Sequence, residues 1–177
     1  MNRDREIAAG RVAERRQEPK HSGRPSARHR FGFLTLPSYS MIALTSAVEP
    51  LRMANRLCKD DVYAWSIVSL DGAPVAASNG LSLSPTVPLD AMGPVDVLFV
   101  CGGVDVQHAV TRELLSALRR LAQGRVALGS LCTGGYALAK AGLLDKRRAA
   151  IHWENMSALR EEFPRIDFTA QLFAIDG

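Results

Sequence analysis

A thiol stands where an apolar run gives way to a glycine-rich stretch. Val126 to Leu131 is apolar or small throughout, Cys132 follows at once, and Thr133-Gly134-Gly135 opens a segment of helical composition that runs to Gly142. The run predicts a buried strand and the segment a helix. Cys132 is thereby placed on a tight strand-to-helix turn, the geometry of a nucleophile elbow. The first N–H groups of a helix and the positive end of its dipole favour a thiolate there. Gly134 and Gly135 remove side chains where the backbone has to pack closely. Such a site binds or attacks an electrophile or a polar small molecule. The plainer alternative is an inert core cysteine, since free Cys is among the most buried residue types. The elbow context favours an exposed thiol of low pKa.

Three further positions belong beside it. Gly102-Gly103 follows the apolar run Val95 to Val100 and Cys101. It is either an ordinary strand-to-helix turn or the source of a backbone N–H that, with the N–H of Thr133, forms an oxyanion or anion hole. His152 lies in a segment expected to return towards the elbow, where it either fills a structural role or takes a proton from Cys132 and orients a ligand. Trp153 is either a core aromatic or a face on which a ligand cation stacks.

Positioning these residues takes an alternating set of elements. Phe31 to Leu36 predicts a first strand and Ser40 to Leu57 a helix, with Pro50 expected to kink it or start a second piece. Val62 to Leu70 predicts a strand, and Pro74 to Leu83 two short strand pieces around an Asn79-Gly80 turn. Gln107 to Gln123 predicts one amphipathic helix, with Val110, Leu114, Leu118 and Leu121 on a single face. Ala149 to Trp153, Glu154 to Phe163 and Ile166 to Ile175 read as strand, helix and strand. Strands alternating with helices give an α/β fold, a parallel sheet with helices on both faces. In such sheets ligands sit at the carboxyl ends of strands. Thr35 to Ser38, Cys101 to Gly103, and Cys132 are expected to meet at one pocket there.

Composition narrows the setting. The chain has 177 residues, 47% of them hydrophobic, and a net charge of +4. Residues 1–30 hold nine of the 22 basic and four of the 18 acidic residues, so this tail carries +5 and the rest of the chain −1. Without an apolar run the tail predicts a disordered, solvated extension, in preference to a nucleic-acid arm. No secretory h-region precedes Arg30, and no run of 18 apolar residues predicts a membrane span. Cys58, Cys101 and Cys132 form neither a C-x-x-C pair nor an even set. A disulfide framework and a zinc site are therefore not expected, and a reducing, cytoplasmic setting fits. No metal or organic cofactor is indicated.

The elbow Gly129-Ser-Leu-Cys132-Thr-Gly-Gly, the Cys101-Gly-Gly103 turn and His152 resemble the DJ-1/PfpI branch of class I glutamine-amidotransferase-like domains. Ser40-Met41, Ser46 to Arg52, Ala54-Asn55-Arg56, Asp71-Gly72, Ser78-Asn79-Gly80 and Ala141 to Asp145, through His152-Trp153, resemble the N-terminal sensor domain of AraC-family transcriptional regulators. Within that group they are most similar to the glycine betaine, carnitine and arginine responders. The resemblance implies a flavodoxin-like sandwich over residues 31–177 and a small amine or amino-acid-like ligand. Gly102, Gly103, Cys132, Thr133, His152 and Trp153 would be its ligand-binding residues. It also implies a homodimer, and DNA contact only through helix-turn-helix units that are absent from this chain. The chain is expected to stop inside the sensor domain.

Enzymes of the family carry a carboxylate near the start of the first helix that hydrogen-bonds the cysteine. Spacing puts Ala43 at that position, with Glu49 too far along to replace it. This departure weakens the alternative reading, a cysteine-dependent hydrolase, hydratase or glyoxalase-like enzyme with Cys132 as nucleophile and His152 as base or orienter.

Overall fold

The structure is a computed structural model and describes residues 28–84, 86–151 and 156–176. Most of the basic tail, and the predicted site residues His152 and Trp153, lie outside the described residues. β1 (His29–Thr35) starts inside the stretch read as tail, with His29 and Arg30 paired to Tyr63 and Ala64.

The remaining elements follow in chain order. They are α1 (Met41–Cys58), β2 (Tyr63–Ser69), β3 (Val87–Pro88), β4 (Val97–Cys101), α2 (Val106–Ala109), α3 (Arg112–Ala122), β5 (Ala127–Leu131), α4 (Gly135–Lys140), β6 (Arg148–Ala150), α5 (Met156–Glu162) and β7 (Asp167–Thr169). Five strands form one parallel sheet in the order β3-β2-β1-β4-β5, and β6 and β7 form a small parallel pair. This is the α/β arrangement the alternating pattern predicts.

A parallel sheet covered on both sides needs apolar residues on both faces of its strands. β1 supplies them by alternation. Leu34 joins Val68, Leu98 and Val100 on the face packed by Leu114 and Leu118 of α3 and by Ala137 and Leu138 of α4. Phe33 joins the opposite cluster with Leu44 of α1 and Cys101, backed by Phe31, Trp65 and Phe99. Phe99 stacks on Phe33 at 5.7 Å between ring centroids. A Cβ on Gly129 would lie 2.5 Å from the Phe99 ring, so only glycine lets β5 pass there.

Four expectations need correction. Pro50 does not divide the first helix, because α1 runs unbroken from Met41 to Cys58. The carbonyl four residues earlier, left without a donor by the proline, belongs to exposed Ser46, on the solvent side of the helix. The second predicted helix is divided instead. Val110 is extended and Thr111 caps α3 by accepting from the Leu114 N–H at 3.2 Å. Local side-chain capping overrides a periodicity that runs straight through it.

The last strand stops at Thr169 rather than reaching Ile175. Leu172, Phe173 and Ile175 are exposed, and the segment is held by Asp176, which accepts from the backbone N–H of Arg148 at 2.6 Å. Alternation without a partner backbone makes no strand. The hairpin around Asn79-Gly80 is reduced to a single Ala76–Ser82 bridge. No helix among the described residues is long and apolar enough to cross a membrane.

α1 is fixed at both ends. Ser40 accepts from the Ala43 N–H at 3.4 Å, and left-handed Lys59 closes the other end with its N–H on the Asn55 carbonyl. The Asn55 side chain then acts as a piece of sheet edge. Its Nδ2 donates to the Tyr63 carbonyl at 2.8 Å, and its Oδ1 accepts from the Tyr63 N–H at 2.9 Å. Asn55→Ala removes both bonds at a half-buried position and is expected to cost about 1–3 kcal/mol in denaturant unfolding. A change under about 0.5 kcal/mol, the range of ordinary surface substitutions, would show that water replaces the amide without penalty.

Candidate functional site

Three neighbouring strands, β1, β4 and β5, end at the same edge of the sheet, and the loops after them are tied by main-chain bonds. The Leu36 N–H donates to the Cys101 carbonyl at 3.1 Å, the Ser40 N–H to the Gly102 carbonyl at 2.9 Å, and the Gly102 N–H to the Leu131 carbonyl at 3.2 Å. The Val104 N–H donates to the Ser38 carbonyl at 3.1 Å. Thr133 Oγ1 closes the set by donating to the Gly103 carbonyl at 2.7 Å.

These loops approach so closely that a Cβ on Gly102 would lie 2.7 Å from the Thr133 carbonyl carbon. One on Gly103 would collide with the Ser38 carbonyl, and one on Gly134 with the Val100 carbonyl. The crowding turns the chain sharply after each strand. Ser38, Asp105 and Cys132 all adopt left-handed backbone, with φ of 60°, 52° and 53°. For a side-chain-bearing residue this conformation costs free energy and persists only where surrounding structure imposes it. Cys132 therefore sits on the elbow expected of it, followed by a short 3-10 turn, Cys132–Gly134, that leads into α4.

A cavity of about 660 Å³ lies over these ends. Ser40, Gly103, Asp105, Cys132 and Thr133 form its floor and near side. Tyr136 of α4, Ile151, and Leu159 and Glu162 of α5 form the far wall. Gly103, Cys132 and Thr133 are thus brought together as expected. The Gly103 N–H takes no acceptor among the described residues, and the Thr133 N–H is in a first helical turn, where no intrahelical acceptor exists. Gly102 differs from expectation. It is buried, both of its polar backbone groups are spent on Leu131 and Ser40, and it does not line the cavity. Its contribution is the close approach. Ile151, which immediately precedes His152, is on the cavity wall.

Asp105, Tyr136 and Glu162 were not singled out from the sequence. Tyr136 had a readable signal, one helical turn beyond Cys132. Asp105 and Glu162 had none, because nothing in their spacing brings α5 to the loop after β4. Tyr136 donates to Glu162 Oε1 at 3.3 Å, and Lys140 Nζ pairs with the same oxygen at 2.5 Å. Burial, and then the Glu162 charge, push the Tyr136 hydroxyl above its ordinary pKa. The hydrogen bond to Glu162 is the main cause that holds the Lys140 ammonium above its own. A second cavity, of about 550 Å³, opens at the opposite end of the strands beside Val95, Arg120, Arg125 and Val126.

The three thiols have different surroundings. Cys58 and Cys132 are exposed and Cys101 is buried. Burial pushes the Cys101 thiol up to about 12, from an ordinary value of 9.0. Its Sγ donates to the Phe99 carbonyl at 3.6 Å. A thiol-specific chromogenic reagent is therefore expected to titrate two thiols in the native protein and the third only on unfolding. Between pH 9 and 12 the unfolded Cys101 thiol ionises while the folded one stays protonated. Raising pH across that window should remove about 1.4 kcal/mol of stability per unit from this group alone. Cys101→Ala lacks this loss, so the stability gap between wild type and variant should narrow from pH 8 to 11. A constant gap would mean that burial does not hold the proton.

Residues 40–171 match the sequence pattern of the DJ-1/PfpI family. The chain is 48% identical to the HTH-type transcriptional regulator GbdR of Pseudomonas aeruginosa, over 82% of this chain and 40% of that protein. It is 47% identical to the HTH-type transcriptional regulator CdhR of the same species, over 83% of this chain and 44% of that protein. The chain thus spans less than half the length of these curated relatives. A crystal structure of an AraC family transcriptional regulator from Pseudomonas putida superposes with a TM-score of 0.73 at 34% identity, covering 84% of this chain and 80% of that one. By the extent of the family match and the shared fold, this chain belongs to the DJ-1/PfpI family.

Proposed function

We propose that this chain is the small-metabolite-sensing part of an AraC-type transcriptional regulator. Its ligand, an amine or amino-acid-like metabolite, binds in the cavity over Gly103, Cys132 and Thr133. The observation that carries this reading is a ligand-sized cavity built on an elbow whose thiol has no hydrogen-bond partner among the described residues. The first turn of α1 holds no acid, and Ala43 stands where the family's enzymes place their carboxylate. Glu49 faces solvent in an ion pair with Arg52 at 2.6 Å, which lowers its pKa and keeps it on the exposed side of α1. The likeness to two regulators at 47–48% identity supports the same reading.

In this account the free N–H groups of Gly103 and Thr133 receive the ligand's carboxylate, and His152 and Trp153 complete the site. The protein works in the cytoplasm as a homodimer and is not attached to a membrane. DNA is contacted through helix-turn-helix units that are no part of residues 1–177. Ligand binding acts by favouring one dimer arrangement over another, which requires different affinities for the two.

The exposed, strained Cys132 favours one second reading, a DJ-1/PfpI-type hydrolase, hydratase or glyoxalase-like enzyme with Cys132 as nucleophile and His152 as base. Cys132→Ser separates the two. A panel of amines and amino acids should contain a compound that raises the melting temperature progressively with its concentration, by linkage about 2.7 kcal/mol at a hundredfold excess over Kd. The variant should keep that shift, with no turnover in wild type. Turnover in wild type that Cys132→Ser abolishes, with binding intact, would replace the sensor by the enzyme.

A further inference from the structure

We propose that the outward face of α1 is an interface with a second copy of this chain, and that the two helices pack antiparallel across a two-fold axis between Glu49 and Pro50. This rests on the homodimer of the sensing reading and gives it a surface and a register.

α1 is an 18-residue helix that covers the sheet with one side only. Ala47, Val48 and Leu51 pack with Leu44 in the cluster over Phe33. A helix of this kind is expected to be polar on its other side. Here Ile42 is 77% exposed, Leu57 75% and Met53 40%. Together with exposed Ser46, Glu49 and Pro50 they make one stripe, because a helix turns about 100° per residue and these six fall within about 50° of a single direction. An apolar stripe of this kind, rimmed by charge and left in water, marks an interaction site.

The spacing of the stripe identifies the occupant. Ile42, Ser46 and Glu49 are repeated in mirror order by Pro50, Met53 and Leu57. A two-fold contact requires such symmetry, since residue i of one copy meets residue j of the other and j meets i. An unrelated partner imposes none. An antiparallel copy sets Ile42 on the partner's Leu57, and the small Ser46 under the partner's Met53. The charges agree with this. Glu49 and Arg52 form an exposed pair at 2.6 Å on the flank of the stripe. The axis brings two such pairs side by side, with each carboxylate between two guanidiniums. A parallel copy would instead set carboxylate against carboxylate and guanidinium against guanidinium.

The interface reaches the cavity rim. Ser40 caps α1 and lines the cavity, and Ile42 lies two residues beyond it. The partner's Leu57 therefore packs at the end of α1 that borders the cavity. A ligand that displaces Ser40 displaces one end of the interface with it.

The test uses the whole chain. Sedimentation equilibrium should show a dimer for wild type. Met53→Glu and Leu57→Glu should each raise the dissociation constant about tenfold or more, by losing the burial of one apolar side chain. Both positions face water in the single chain, so the circular dichroism of the variants should match wild type. Register is read by cross-linking, with Cys58 and Cys132 replaced by serine. Ser46→Cys and Met53→Cys chains, co-expressed and mildly oxidised, should give the mixed disulfide. Neither variant alone should cross-link, because its two copies would lie about 10 Å apart along the helices, beyond disulfide reach. A dimer that both glutamates leave intact, or like-with-like cross-links in place of the mixed one, overturns the proposal. A monomeric wild type overturns it too. If that monomer still binds a compound of the amine and amino-acid panel, ligand sensing stands and only the dimer falls. A dimer with the expected cross-link that binds no compound keeps the interface and removes the sensing reading.

Discussion

At Gly102, Gly103 and Gly134 the main chains of three loops pass at distances that leave no room for a Cβ. The rest of the site depends on that contact. It brings the end of β4 against the start of the elbow and the loop after β1 against the loop after β4, so the polar backbone groups of each can be satisfied by the others. Ser40, Gly102, Leu131 and Val104 are joined in this way, and the Thr133 hydroxyl takes the Gly103 carbonyl. Interiors pack to a density at which one added methyl group is felt. Here the added group would meet backbone rather than a side chain that can turn aside. The left-handed conformations of Ser38, Asp105 and Cys132 follow from these approaches. Each is a sharp exit from a strand, and together they open a concave floor where otherwise three helices would start flush with the sheet.

What the floor offers a ligand is set by what the loops leave over. The Gly102 groups are consumed in holding the loops, and the Gly103 N–H remains. Cys101 and Cys132 lie at the ends of adjacent strands and have opposite properties. Cys101 points its thiol into the cluster with Phe33 and Tyr39, where burial keeps it protonated, and burial likewise is the main cause that raises the Tyr39 pKa. Cys132 leaves the sheet on the elbow and is exposed. One position of cross-strand register separates a structural cysteine from one that a solute can reach.

Much of this was legible in the sequence, and the parts that were not share a cause. The run Val126 to Leu131 and the thiol after it announce a buried strand and an elbow because burial on two faces demands continuous apolar character. The glycines of Cys101-Gly-Gly103 mark a close approach, although the sequence does not say that Gly102 serves packing and Gly103 the cavity. Periodicity misled where a local bond competed with it. Gln107 to Gln123 has one apolar face throughout, yet the Thr111 side chain starts a new helix. Alternation likewise misled from Ala170 to Ile175, since a strand needs a neighbour that spacing cannot supply. Asp105 and Glu162 were invisible for the plainest reason. Each is an ordinary surface acid in its own segment, and only the tertiary fold sets both on one cavity.

The far wall of that cavity belongs to a different packing unit from its floor. α5, β6 and β7 share a cluster of Ala139, Ile151, Leu159, Ile166 and Phe168, separate from the two clusters that cover the main sheet. Tyr136 and Ala139 of α4 bridge the units from the elbow side, and the Lys140–Glu162 pair crosses the same seam. That pair is between half-exposed side chains and is worth little on its own. The seam is therefore held mainly by apolar contact. A ligand that touches the floor at Gly103 and the wall at Glu162 spans it. Its binding free energy then depends on the separation of the units, and any ligand whose affinity differs between two separations moves their equilibrium by that difference. A ligand held wholly on the floor would touch only one of the two units and would not sense their separation.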